Sequence, residues 1–206
     1  MVTESQPGVR LPRTRQARRE RIVTAGFELL LAADYDSVQM RDVAERAGVA
    51  LATVYRYFPS KEQLFGHVLM RWHEDRWQRL GGRSNGRTNR ERLTDVALRT
   101  VAAYEKEPQF LTLKFRLEQS GDPAVSDYLE YIGRGSFRMF RAKLDGLTDE
   151  DAATIVVIVI SVIMAEINRW VRDRRRIDQV RSQVARTIEL LLEFADPAYL
   201  QRLRAP

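Results

Sequence analysis

Residues 38–61, VQMRDVAERAGVALATVYRYFPSK, decide how this chain folds. Apolar residues recur at helical spacing from Met40 to Ala47, and the pattern ends at Gly48. A second short helical segment follows from about Ala50 to Phe58, just before a proline. Because glycine can adopt the positive φ that a tight turn requires, this pattern predicts a helix-turn-helix.

The second helix of this pair presents side chains suited to the major groove of DNA. Small residues near its start, Ala52 among them, let the backbone approach the base edges. Leu51 offers an apolar contact to a thymine methyl group, and Thr53 offers a hydroxyl group to a base or a phosphate. The side chains suited to phosphate oxygens are Tyr55, Tyr57 and Lys61. An ordinary helical hairpin with exposed polar residues is the alternative interpretation.

Positive charge is concentrated just before this pair of helices. The chain carries a net charge of +6, and residues 1–21 contain six arginines but only two glutamates. Such a run attracts the phosphate backbone of any DNA sequence, with Arg18 and Arg19 as expected contacts, so it favours DNA binding over a plain hairpin. A second arginine-rich run at 169–176 is expected to be a solvated surface.

Nearly all of the chain from Thr14 to Phe194 has a helical pattern, which predicts an all-α fold. No segment shows the alternation of a strand, and no Asn-Gly or Asp-Gly turn joins two β-branched runs. Ser60 is predicted to cap a helix that begins after Pro59, because Gln63 follows it three residues later. The polar stretch Gly81–Asn89 is predicted to be a linker.

Residues 152–165 form an almost wholly apolar helical segment. A membrane span is the alternative, but a span needs about 20 apolar residues and Glu166 and Arg169 follow at once. A helix that is apolar on every side is buried on every side, so we expect one face in the core and another against a second subunit. The residues predicted at this dimer interface are Ile155, Val159, Val162, Ile163, Val184, Ile188 and Leu191.

Several classes of site are excluded or disfavoured. The chain has no cysteine, which excludes disulfides and thiolate chemistry. His67 and His73 are six residues apart on one predicted helix and do not share a face, and no acid–histidine pair would activate Ser136. We therefore expect no catalytic residue, no metal and no cofactor. The N-terminus lacks an apolar run for secretion, so we expect a cytoplasmic protein that does not enter a membrane.

The stretch Gly48–Leu64, GVALATVYRYFPSKEQL, closely resembles the signature of tetracycline-repressor-type (TetR family) regulators. The resemblance covers about residues 15–70 and implies a three-helix DNA-binding domain followed by a six-helix regulatory domain, whose last two helices pair with those of a second subunit. By position it implies that Gln39 and Arg41 contact DNA backbone or bases. It also implies that Leu51, Thr53 and Tyr55 read bases, and that Tyr57 and Lys61 hold phosphates. Ala50 and Ala52 depart from the family pattern, which often has a capping Ser or Thr and a glycine there.

The stretches beginning at Tyr35 and at Thr53 are also similar to one branch of this family, the actinobacterial repressors of steroid (cholesterol) catabolism. That resemblance implies a steroid or an acyl coenzyme A thioester as effector. The residues predicted to line the effector pocket are Trp72, Tyr104, Phe110, Phe115, Tyr128, Phe137, Phe140, Met164 and Glu166.

The sequence thus predicts a homodimeric repressor that binds a palindromic double-stranded DNA operator and releases it when a small apolar effector binds. The predicted divisions are a flexible basic arm at 1–13, the helix-turn-helix domain at 14–60, the ligand-binding and dimerisation domain at 61–196 and a tail at 197–206. The alternative function is a helical protein that binds or buffers lipid thioesters and carries a vestigial DNA domain.

Overall fold

A computed structural model of the chain describes residues 13–80, 88–173 and 175–194. Within these residues there are nine α-helices and no strand, which confirms the predicted all-α fold. The helices are α1 (Arg13–Ala32), α2 (Met40–Ala47), α3 (Leu51–Tyr57), α4 (Lys61–Leu80), α5 (Asn89–Lys106), α6 (Gln109–Glu118), α7 (Pro123–Arg141), α8 (Asp149–Asp173) and α9 (Ile177–Phe194). The predicted arm up to residue 12, most of the predicted linker and the tail lie outside the described residues.

The chain divides by its contacts into two compact units, Met1–Val68 and Leu69–Pro206. In the first unit α2 packs against both α1 and α3. Gly48 ends α2 in the left-handed region, with φ 63° and ψ 44°, and its N–H group donates to the carbonyl oxygens of Ala44 and Glu45. A residue with a side chain would be strained in this conformation, so the glycine is what allows α3 to follow after a short turn.

The first turns of α4 belong to the first unit. Ser60 Oγ accepts a hydrogen bond from the N–H group of Gln63 at 3.1 Å, which caps the start of the helix. The ring of Phe65 packs edge-on against Tyr35 at 5.2 Å. A Cβ atom on Gly26 of α1 would lie 3.2 Å from Val68 Cγ2. These contacts join the first turns of α4 to the first unit. The boundary between the two units therefore falls after residue 68, inside α4, whereas the sequence pattern predicted it before residue 61.

In the second unit α5 packs against α6, α7, α8 and α9, and α8 also packs against α7 and α9. Thr88 and Glu91 form a capping box at the start of α5: Thr88 Oγ1 accepts from the N–H group of Glu91 at 3.2 Å, and the N–H group of Thr88 donates to Glu91 Oε2 at 2.9 Å. The predicted linker therefore extends too far, because Thr88 caps α5 and Asn89 begins it.

The predicted dimer-interface residues need correction. Ile155, Val159 and Ile163 recur every four residues along α8 and are at most 4% exposed within the single chain, as are Val184 and Ile188 on α9. They fill the core of the second unit, while Val162 and Leu191 are only partly buried. The apolar residues that α8 and α9 expose lie on other sides of these helices: Val157, Ile158, Val171, Leu190 and Phe194. In the described part of the chain no helix is long and apolar enough to cross a membrane.

Candidate nucleic-acid interface

Helix α3 is anchored by one buried residue and exposes most of the others. Val54 is completely buried, whereas Leu51 and Tyr55 are 38% and 46% exposed. Ala52 is exposed as well, and Thr53 is partly exposed. A large apolar residue and a tyrosine on the open side of a seven-residue helix are a surface suited to contact a partner. Leu51, Ala52, Thr53 and Tyr55, all predicted to lie at the DNA interface, are therefore accessible to a partner.

Tyr57, at the end of α3, has two arginines near its ring. The Cζ atom of Arg15 on α1 is 5.8 Å from the centre of the Tyr57 ring, and that of Arg56 is 5.9 Å away. Cations at this distance over an aromatic face are attracted to it. The arrangement groups two positive charges near the Tyr57 ring, which suits a phosphate group.

The predicted contacts on α1 and α2 are also accessible. Gln39, which precedes α2, and Arg41 in its first turn are exposed, and so is Arg18 on α1. The N–H group of Gln39 donates to Asp42 Oδ2 at 2.9 Å, which fixes the start of α2 and leaves the Gln39 side chain at its N-terminal end. The N-terminal end of a helix favours negative charge, so Gln39 lies where a phosphate would be stabilised.

Lys61 has a different environment from the one predicted for it. Its Nζ atom donates to the carbonyl oxygen of Tyr35 and lies 4.2 Å from the centre of the Tyr35 ring. Burial lowers the pKa of Lys61, against the opposing effect of Asp36 and Glu62. The side chain ties the start of α4 to the segment between α1 and α2, and a phosphate contact would require this tie to open.

Arg19 is a second residue whose role the sequence did not reveal. Its Nη2 atom lies within hydrogen-bond distance of both ring nitrogens of His67, 2.8 Å from Nδ1 and closer to Nε2, and its guanidinium group lies 5.2 Å from the centre of the Phe58 ring. Burial, with a smaller effect of Arg19, lowers the pKa of His67 to about 3, so the imidazole is neutral and can accept this bond. Arg19 thus stabilises the first unit, whereas the neighbouring Arg18 faces solvent.

The second unit contains a cavity of about 290 Å³ between α4, α5, α6, α7 and α8. Its wall is mainly apolar, and this volume lies near the lower end of the range for small-molecule sites. Four of the predicted pocket residues line it: Trp72, Tyr104, Phe140 and Met164.

The other five predicted pocket residues are not brought to this cavity. Phe110 lies behind Trp72, stacked on it with the ring centres 4.8 Å apart. Phe115, Tyr128 and Phe137 are partly buried elsewhere in the unit. Glu166 is buried and accepts hydrogen bonds from Arg175 Nη1 at 2.5 Å and from Arg169 Nη1 at 3.2 Å. Its negative charge is therefore compensated by two arginines of the same chain.

Polar and aromatic residues that the sequence analysis did not assign to a pocket also line the cavity. His73, Arg76 and Trp77 follow Trp72 on α4, and Lys114 belongs to α6. The tyrosine hydroxyl of Tyr104 lies 3.4 Å from His73 Nε2. Burial lowers the pKa of His73 to about 3, and the charges of Arg76 and Lys114 act in the same direction. Arg76 lies one turn after Trp72 on α4 and Trp77 one turn after His73, but the sequence does not say which face of α4 meets the cavity.

Comparisons with known proteins show the family to which this chain is related. Residues 22–68 match the family described as bacterial regulatory proteins, tetR family. The chain is similar to the HTH-type transcriptional repressor KstR of Rhodococcus jostii (strain RHA1), with 32% identity over 85% of this chain and 82% of the relative. The repressor KstR of Mycolicibacterium smegmatis is 30% identical over 93% of this chain and 94% of its own length. A solved structure of a TetR transcriptional regulator from Rhodococcus sp. RHA1 has a TM-score of 0.71 and 27% identity, and the match covers 86% of this chain and 96% of that one.

Proposed function

The chain belongs to the tetR family of bacterial regulatory proteins, and from this premise we propose that it represses transcription by reading an operator with α3 and releasing it when an effector binds. It is a DNA-binding regulator and not an enzyme. The observation that carries the proposal is the exposure of Leu51, Ala52 and Tyr55 on a helix anchored by the buried Val54. In this arrangement the exposed side of α3 is available to a major groove.

The regulator acts as a homodimer on a palindromic operator. A symmetric pair of recognition helices reads two half-sites about 34–36 Å apart, or a multiple of this distance, because successive major grooves recur once per helical turn. The subunits pair through the exposed apolar residues of α8 and α9, of which Val157 and Phe194 are the most accessible, at 55% and 51%. Exposed apolar residues on adjacent helices favour burial against a second copy.

The effector is a small apolar molecule, a steroid or an acyl coenzyme A thioester, whose apolar part occupies the cavity of the second unit. The likeness to the two KstR repressors supports a ligand from steroid metabolism. Four residues of the cavity wall, from Trp72 to Trp77, lie on α4, whose first turns belong to the first unit. Effector binding favours a state in which the recognition helices do not match the operator, so ligand and DNA oppose each other reciprocally. An effector that tightened operator binding would contradict the direction of this regulation.

Alanine substitutions on α3 test the DNA-reading role. Thr53→Ala and Tyr55→Ala should each weaken operator binding by about 1–3 kcal/mol and leave the dimer intact, because they remove side chains that face the groove. Thr112→Ala is the matched control, since Thr112 is exposed on α6 in the second unit. The measurement is the dissociation constant for an operator duplex, with sedimentation to check the dimer. Unchanged affinity in both α3 variants would refute the role of this helix.

A further inference from the structure

We propose that Gly133 on α7 forms the entrance of the effector cavity, and that the absence of a side chain there admits a bulky, rigid ring system. This inference rests on the proposed function, because it concerns the ligand of the same cavity. Gly133 thus determines the size of the ligand that the cavity accepts.

The cavity meets solvent beside Gly133. This residue lines the cavity and is exposed, whereas every other described residue of the wall except Glu118 is buried or partly buried. At Glu118 the surface is occupied by an ion pair, because its carboxylate bonds to Lys114 of the same wall. An apolar ligand that entered there would disturb these charges, so the opening at Gly133 is the less costly route.

A side chain at position 133 would point towards the cavity. Leu129, Ser136 and Phe140 lie four residues before Gly133, three after it and seven after it, and all three line the cavity. Residues at these spacings share one face of an α-helix. A Cβ atom built on Gly133 has no described contact within 4 Å, apart from its chain neighbours and the backbone of its own helix. The position therefore faces open space on the cavity side of α7.

Neither the backbone conformation nor the packing requires glycine at position 133. Gly133 lies inside α7, and among the described glycines a positive φ occurs at Gly48 and Gly146. Gly135 is different, because a Cβ atom there would lie only 2.2 Å from Trp77 Cη2. Glycine inside a helix is less stable than alanine. The fold does not explain this loss of stability at Gly133, whereas access to the cavity does.

The size of the cavity makes this position matter for the choice of ligand. Its volume of about 290 Å³ lies near the lower end of the range for small-molecule sites. A rigid ligand with several fused rings therefore keeps part of its body in the opening, next to the backbone of α7. A side chain at position 133 would overlap with that part, whereas a smaller ligand that the wall encloses would not meet it.

Two ketones of different size test the proposal with the full chain. One is androstenedione, a rigid steroid, and the other is decalone, a fragment with half as many fused rings. Dissociation constants are measured by calorimetry in the same buffer, with a constant concentration of dimethyl sulfoxide. Denaturant titrations of each variant measure its stability.

Gly133→Leu places an apolar side chain in the opening. It should weaken the binding of androstenedione about tenfold or more and change the affinity for decalone by less than about twofold. Retained binding of decalone also shows that the cavity is still formed. Ala102→Leu is the matched control, because Ala102 is exposed on α5 outside the cavity wall, and both affinities should be kept. Gly133→Ala should raise the midpoint of unfolding, because alanine favours the helix.

The remaining outcomes contradict the inference in distinguishable ways. Unchanged affinity for androstenedione in Gly133→Leu, or an equal loss in Ala102→Leu, would refute the entrance at Gly133 and leave the effector cavity standing. An equal loss of both ketones in Gly133→Leu would refute the selection by size. A Gly133→Ala protein less stable than the wild type would show that the fold itself requires this glycine.

The wild type alone tests the underlying function. Binding of decalone without binding of androstenedione would refute both the steroid assignment and the wide entrance. If neither ketone binds, the effector cavity of the proposed function fails together with this inference.

Discussion

Two neighbouring arginines on α1 have different surroundings and therefore different expected roles. Arg18 is exposed to solvent, whereas Arg19 donates to His67 and lies over the Phe58 ring. A charge that is free to meet a phosphate contributes to DNA binding through the release of counterions. A charge that is already packed contributes mainly to the stability of the unit that holds it.

Arg18→Ala should weaken binding to all DNA sequences alike and should lower the dependence on salt. Loss of one phosphate contact reduces the slope of log K against log salt concentration by about 0.9 per subunit. Arg99→Ala is the matched control, because Arg99 on α5 is 57% exposed at its side chain and loses the same charge in the second unit. The measurement is DNA binding over a series of salt concentrations. An equal change of slope in both variants would contradict the assignment of Arg18 as a phosphate contact.

His67 makes the stability of the first unit depend on pH. Its pKa is near 3 in the folded chain and near 6.5 when unfolded, so below about 6.5 the unfolded chain binds one proton more. The free energy of unfolding should therefore fall as the pH drops from about 6.5 towards 3, and this contribution is fully retained above 6.5. His67→Gln should flatten this dependence by up to about 1.4 kcal/mol per pH unit.

Denaturant titrations of the wild type and of His67→Gln at several pH values measure this dependence. The His67 side chain has no proposed part in DNA reading, and helical circular dichroism checks that the variant folds. An identical slope in the two proteins would show that His67 is not buried in neutral form.

At the scale of the helices, α8 and α9 combine a buried face with an exposed apolar one. On α8 the stripe of Ile155, Val159 and Ile163 faces the subunit's own core, whereas Val157 and Ile158 are accessible. On α9 Leu190 and Phe194, four residues apart, are exposed on one side of the helix. These two exposed stripes are the surface that a second copy of the chain would bury.

Val157→Asp should shift the dimer towards monomer, because it places a charge within the apolar surface proposed for pairing. Leu31→Asp is the matched control: Leu31 is 47% exposed on α1, and the same kind of change there should leave the association unchanged. Sedimentation velocity over a range of concentrations distinguishes the two. A Val157→Asp protein that remains fully dimeric would place the interface elsewhere.

Helix boundaries could be predicted from the sequence because local signals mark them. Gly48 adopts positive φ, Ser60 caps α4, and the side chain of Asp122 accepts from the N–H group of Ala124 at the start of α7. These signals act between residues that are close in the chain, so the local sequence is enough to predict where the helices begin and end.

The faces of the helices could not be predicted in the same way. Helix α8 is apolar almost all round, so its sequence does not say which stripe meets the core; packing against α5, α7 and α9 decides this. The residues that face the cavity could not be predicted for the same reason. Trp72 and Tyr104 could be named as large aromatic residues, but the place of His73, Arg76 and Trp77 depends on how α4 is rotated.

At the scale of the whole molecule, DNA reading is proposed for the first unit and effector binding for the second. The exposed side of α3 and the cavity between α4 and α8 are built from different residues, so each can be altered by itself. A substitution such as Gly133→Leu should therefore change the response to effector and leave operator affinity without effector unchanged. The family and the likeness to two repressors support the general role of a DNA-binding regulator. We expect the residues of α3 to read DNA and the residues of the cavity wall to bind the effector.

The most direct test of the central claim is selection of binding sites from random DNA duplexes by the full chain, with the wild type and Tyr55→Ala run side by side. We predict that the wild type enriches a palindrome of two half-sites, and that Tyr55→Ala, still a dimer, loses this enrichment at specific positions of each half-site. A wild-type protein that binds ligand but enriches no sequence would contradict the reading role of α3 and would favour a ligand-buffering protein with a vestigial DNA domain.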